Sequence, residues 1–177
     1  TAFRQLPVDT PPTFIPRAPG GDFHPEASTL AVQDVPDTRP ETQGFQFSRI
    51  HDYAAAYREG SAAPDEVARA VLNAIEQSDA AARPLRAFIA SYDSDVMQMA
   101  EASARRLEEG RPRSILEGVP VAVKDEIDMV PYPTTAGTAF LSSATASEDA
   151  TVVQRLREAG ALLIGKTNMH ELGVGVT

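Results

Sequence analysis

A chain of 177 residues, 42% hydrophobic and 23% charged, is long enough for one domain with its own core, since domains commonly run to roughly 100–200 residues. A formal charge of −9 argues against a phosphate-backbone partner, and no apolar run nears the roughly 18–20 residues of a membrane helix. There is no cysteine, which excludes disulfides, zinc–thiolate sites and a cysteine nucleophile.

The first 44 residues hold eight of the fourteen prolines: Pro7, Pro11, Pro12, Pro16, Pro19, Pro25, Pro36 and Pro40. Proline removes a backbone donor and restricts its predecessor, so neither a helix nor a central strand fits there. Phe3, Phe14, Ile15, Phe23 and Leu30 are interspersed, more apolar residues than a freely disordered tail carries. Residues 1–47 therefore read as an extended arm lying over another surface, with an unstructured leader as the alternative. The first residue is Thr1 rather than Met, which leaves room for a removed upstream segment. A soluble protein is expected, with a cytoplasmic location favoured and secretion left open.

Residues 48–177 read as the folded domain. Ser48 is placed to cap a helix that runs to about Glu59 and stops at Gly60, with Tyr53 and Tyr57 one turn apart. Pro64 suits the first turn of a second helix, whose Val67, Val71 and Ile75 form its apolar stripe. Ala87 to Ser91 is a short strand. Asp93 or Ser94 caps a third helix with Val96, Ala100, Ala104 and Leu107 inward, ended by Gly110. Arg105, Arg106, Arg111 and Arg113, interleaved with Glu101, Glu108 and Glu109, read as a solvated face and its exit.

Gly118 to Lys124 is a near-continuous apolar run of the kind a strand buried on both faces shows. A loop rich in Pro, Thr, Gly and Ser spans Pro131 to Ser147. Asp149 then caps a fourth helix with Val152, Val153, Leu156 and Ala159 inward, and Ala161 to Gly165 is a further buried strand. Strand, helix, strand in that order is a parallel βαβ unit. The class is α/β, with N-terminal helices leading into a mixed, mainly parallel sheet covered by helices.

Two motifs are refused. Gly160 to Thr167 satisfies the phosphate-loop pattern G-x-x-x-x-G-K-T, but its middle residues, Ala-Leu-Leu-Ile, belong in a buried strand. The order is helix then strand, where a phosphate loop needs strand, loop, helix. A nucleotide-binding domain using Gly160 to Thr167 is kept only as a rival. His170-Glu171 is half of a zinc-protease helix without its second histidine, and with only His24, His51 and His170 in the chain a three-histidine zinc site is not expected.

Lys124 carries the chemistry. It closes the apolar run at the C-terminal edge of a strand, where α/β sheets place their sites. A lysine acts as a base only when neutral, which at pH 7 costs about 4–5 kcal/mol against a reference pKa of about 10.4, and burial can supply that much. Asp125, Glu126 and Asp128 follow at once, and a salt bridge from one of them would keep the amine charged. Strand alternation sends Asp125 to the opposite face. On these residues alone, a strand-end lysine paired with acid is the simpler account.

Four blocks alter that balance. They are Gly118-Val-Pro-Val-Ala-Val-Lys-Asp125, Thr134-Thr-Ala-Gly-Thr138, Asp149-Ala-Thr-Val-Val153, and Ala159-Gly-Ala-Leu-Leu-Ile-Gly-Lys-Thr-Asn-Met-His-Glu-Leu172. In this order they resemble the successive blocks of the amidase signature family, in its plant fatty acid amide hydrolase branch. The resemblance extends upstream through Ile50 to Tyr57 and Ala100 to Leu107, so it covers about residues 48–177, while residues 1–44 show no evident match.

The resemblance implies the amidase signature fold, incomplete in this chain, and a Ser–Ser–Lys triad with Lys124 as its lysine. That lysine draws a proton through a bridging serine from a nucleophilic serine, and the reaction passes through an acyl-enzyme. Both serines belong to a Gly/Ser-rich segment beyond Thr177. Ser142 and Ser143 lie in the wrong block and read as loop residues. Met169, Gly173 and Val174 would line the substrate channel, and Val174 stands where the plant enzymes carry methionine. The implied substrates are fatty acid amides and N-acylethanolamines, the alternative being an amidase for short-chain, aryl or glutaminyl amides. No metal or organic cofactor is called for. The implied partners are the remainder of the amidase domain, on the same or a separate chain, and a second copy in a homodimer. Peripheral contact with a membrane stays open.

Overall fold

The computed structural model describes residues 47, 49–141 and 145–175; Ser48, Ser142, Ser143 and residues 1–46 of the proposed N-terminal arm lie outside them. Four helices, α1 (Ile50–Glu59), α2 (Pro64–Ala80), α3 (Asp93–Glu108) and α4 (Thr151–Glu158), accompany three strands, β1 (Phe88–Ala90), β2 (Pro120–Lys124) and β3 (Leu162–Thr167). The sheet order is β1-β3-β2, with β2 and β3 parallel and β1 antiparallel to β3. The β2–α4–β3 unit is the expected parallel crossover.

The helix starts follow a different chemistry from the one expected. At α1 the Asp52 carboxylate reaches back to accept the Arg49 N–H at 2.9 Å, and at α2 the Glu66 carboxylate accepts the Ala63 N–H at 3.1 Å. Each is one half of a capping box, built on the third helical residue rather than on the cap side chain. Asp149 does not cap α4, whose cap is Ala150. It accepts instead from the Val130 N–H at 2.8 Å and pairs with Arg157 at 2.8 Å, tying the start and end of α4 to the preceding loop. Gly60, Gly110 and Gly160 stop their helices in left-handed conformations, as the sequence requires.

β3 is the centre of the core. Leu162 and Ile164 pack with Ala68, Val96 and Ala100 of α2 and α3, while Leu163 faces the other way among Val123, Met129, Tyr132 and Val153. Both faces of β3 are thus buried. β2 does not share this property: it is an edge strand among the described residues, and Ala122 and Lys124 on one of its faces are exposed. The apolar run predicts two buried faces, but the face of β2 that carries Ala122 and Lys124 is left open among the described residues. Gly165 lies inside β3 rather than at its end, at an irregularity where β3 carries Ile164 as an extra residue against β2.

Val152, expected inward, is half exposed, whereas Val153 is completely buried. Two adjacent residues on a helix are about 100° apart, so only one can face the sheet. Val153→Ala is therefore expected to cost about 2 kcal/mol of stability in the intact protein, and Val152→Ala no more than about 0.5. Urea unfolding of the two variants side by side checks the assignment.

Arg106 is not part of a solvated face. Its guanidinium grips the buried Glu117 carboxylate with two bonds of 3.1 and 2.8 Å, and Glu117 also accepts the Arg113 N–H at 2.8 Å. Burial pushes the Glu117 carboxyl upward, but the bonds from Arg106 and Arg113 outweigh it and hold it below its ordinary value of 4.5. A carboxyl lowered on folding contributes stability that is complete above its unfolded value and lost as pH falls through the folded one. The stability gap between wild type and Glu117→Gln is accordingly expected to narrow as pH drops below about 4.5. Denaturant titrations at stepped pH measure it.

Candidate active site

β2 ends with Lys124 at its C-terminal edge, and the side chains of Lys124 and Asp125 leave the strand in opposite directions. Asp125 is fully buried. The Lys124 side chain is 48% exposed, with Nζ 3.0 Å from Glu126 Oε1. The acid-paired strand-end lysine that the residues alone suggest is what the structure holds, and it corrects the shielded, neutral amine that a resting base would need. The exposed face of β2 leaves Lys124 open to solvent, and the chain turns tightly enough after the strand to bring Glu126 back beside it, with the Ile127 N–H donating to the Lys124 carbonyl at 3.0 Å.

The buried lysine is Lys166. Its Nζ lies 3.2 Å from Asp125 Oδ1 and donates to the Pro133 carbonyl at 3.1 Å and to Thr134 Oγ1 at 3.2 Å. Neither Lys166 nor Asp125 is exposed to solvent. Asp125 also accepts the Thr135 hydroxyl, the Thr135 N–H at 3.2 Å and the Gly137 N–H at 3.3 Å, while its backbone carbonyl accepts the Ala136 N–H at 3.1 Å. A buried charge needs this degree of pairing. The lysine of the phosphate-loop pattern is thus committed inside the fold, on a strand, and the nucleotide-binding rival loses its key residue.

The loop held by Asp125 supports the segment after β3. Gly137, at φ 69°, packs so closely that a Cβ there would stand 2.9 Å from the Met169 carbonyl oxygen. The Leu172 N–H donates to the Ala136 carbonyl at 2.8 Å, and both residues are left-handed, at φ 53° and 49°. Non-glycine residues pay about 1–2 kcal/mol for that conformation, and such strain collects where geometry is functionally fixed. A Cβ on Gly173 would lie 3.3 Å from Glu126 Oε2 and 3.6 Å from Met169 Cε.

The fold therefore brings Lys124, through Glu126, to Met169 and Gly173. Val174 follows them and is 81% exposed. His170 is exposed at the start of the short 3₁₀ turn Glu171–Gly173. The Asp125–Lys166 pair is not anticipated as a unit, although alternation along β2 sends Asp125 inward and the apolar run before Lys166 marks a buried strand. Among the described residues, no helix is long and apolar enough to cross a membrane.

The family model described as Amidase matches residues 69–177, well over half of the chain. The chain belongs to the amidase family. It is 35% identical over 196 aligned residues to a fatty acid amide hydrolase of Arabidopsis thaliana, an alignment taking in 99% of this chain and 32% of the relative. It is 39% identical over 124 residues to a glutamyl-tRNA(Gln) amidotransferase polypeptide of Myxococcus xanthus, covering 70% of this chain and 25% of that one. Among solved structures, the peptide amidase of Stenotrophomonas maltophilia superposes with a TM-score of 0.67 at 33% identity, over 71% of this chain and 26% of that enzyme. The amidase signature fold is thus shown for the part present here, and the chain spans about a third or less of these relatives. The Arabidopsis alignment also reaches into the proline-rich N-terminal residues, where the sequence offers no evident block.

Proposed function

We propose that this chain supplies the lysine base of an amide hydrolase with a Ser–Ser–Lys triad. The observation that carries it is the position of Lys124, at the C-terminal end of β2 and beside the Met169–Gly173 segment, in a chain of the amidase family. Its half-exposed amine is open to a hydroxyl brought by protein beyond Thr177. Approach of that hydroxyl displaces Glu126 and removes solvent, so the ammonium gives up its proton to departing water and the neutral amine can take one from the serine. The nucleophilic serine then attacks the amide carbonyl, the amine leaves with the relayed proton, and water releases the acyl group from the serine.

Fatty acid amides, N-acylethanolamines among them, are the favoured substrates, on the strength of the Arabidopsis relative's name and of an alignment that takes in almost the whole chain. The amidotransferase and peptide amidase relatives keep a glutaminyl or peptide amide as the second reading. Hydrolysis of a long-chain N-acylethanolamine, glutamine and a C-terminal peptide amide by the intact protein separates them. The lipid amide is expected to give the highest kcat/KM, and a preference for either of the others overturns the substrate assignment.

A further inference from the structure

We propose that the buried Asp125–Lys166 pair is a positioning device for the reaction, holding Lys124 and the Met169–Gly173 segment in one fixed relation. The inference rests on the reading of Lys124 as base. Asp125 is bonded to Lys124 along the chain, and Lys166 lies in β3 beside it, so the pair locks the C-terminal ends of two neighbouring strands. Lys166 then holds Pro133 and Thr134, while Asp125 holds Thr135, Ala136 and Gly137. The backbones of Ala136 and Gly137 in turn carry Leu172 and Met169.

One route thus runs from Lys124 to the wall of the proposed substrate channel, and beyond its first covalent link every step is a hydrogen bond or a close packing contact. A pair serving stability alone would have no need of the second half of this route. Its two left-handed residues, Ala136 and Leu172, are held by the same connections. Neither Asp125 nor Lys166 touches substrate in this scheme, so both are positioning residues.

The test uses the intact protein and follows kcat, KM and thermal midpoint together. Thr135→Val removes one hydroxyl bond to Asp125 and is expected to lower kcat about tenfold with a smaller fall in midpoint than Lys166→Met, since an ångström of misplacement can cost about a hundredfold. Lys166→Met leaves Asp125 buried and unpaired, and is expected to lose both midpoint and kcat. Asp125→Asn with Lys166→Met removes both charges, and is expected to regain most of the midpoint while kcat stays down by about a hundredfold. Recovery of kcat to within about twofold in that double variant would show a purely structural pair and overturn the proposal. If the double variant does not fold, Thr135→Val decides, and wild-type kcat there overturns it as well. Lys124→Ala is the control that separates the two readings. Turnover surviving in Lys124→Ala removes the base assignment itself, whereas its loss beside full activity in the other variants removes only the positioning role.

Discussion

Replacing Lys124 with alanine in the intact protein is expected to lower kcat on an amide substrate by about 10³-fold or more while leaving the fold in place. The two halves of that expectation come from different observations. The loss in rate follows from removing the group that takes the serine proton. The intact fold follows from exposure: the side chain is 48% accessible and its partner Glu126 46%, and exposed ion pairs are worth about 0–1 kcal/mol. Lys124→Arg should be equally inactive, because a guanidinium keeps its proton and cannot act as a base. Steady-state hydrolysis with a parallel thermal melt measures both. Turnover within about tenfold of wild type in either variant would exclude Lys124 as the base.

Gly165→Ala is expected to be the most damaging small substitution in the described structure, at about 3 kcal/mol or more. A Cβ at this position would overlap the Ala90 carbonyl oxygen and stand 3.1 Å from Ser91 Cα. Both neighbours are backbone and cannot rotate away. β1 would have to withdraw from β3, giving up its pairing and the Ser91 hydroxyl bond to the Ile164 carbonyl at 2.7 Å. Gly110→Ala is the control. Gly110 is also left-handed, at φ 66°, but has nothing within 4 Å of an added Cβ, so only the conformational cost of about 1–2 kcal/mol applies. Equal losses at the two positions, read from denaturant midpoints, would show that close approach of β1 is not what requires glycine at 165.

The elements themselves are readable wherever periodicity and termination agree. The stripe of Val67, Val71 and Ile75, the glycines after three of the four helices and the apolar core of β3 are enough to order the elements along the chain. Where reading fails, the cause is spatial. Asp149 has the chemistry of a cap, but Arg157, two helical turns later, and the Val130 amide compete for its carboxylate. Val152 and Val153 are equally apolar, and only the direction of the sheet decides between them. The run before Lys124 looks like a central strand and so predicts a dry setting, yet the number of layers over a strand is not written in the strand. Met169 and Gly173 are named by resemblance, and the geometry sets Gly173 beside Glu126, with the Met169 side chain next to Gly173. The Asp125–Lys166 pair joins residues from two separate blocks, so nothing local links them.

Successive side chains on a strand leave it in opposite directions, so the roles of positions 124 and 125 depend on parity. Lys124 reaches outward only because an uninterrupted β2 keeps Asp125 turned toward Lys166. Deleting any one residue between Val121 and Val123 would invert the two, driving an amine against the ammonium of Lys166 and stranding the carboxylate outside. Insertions and deletions in this stretch therefore strike the chemistry and the interior at once, and the spacing between the strand's start and Lys124 is as much a property of the site as the lysine itself.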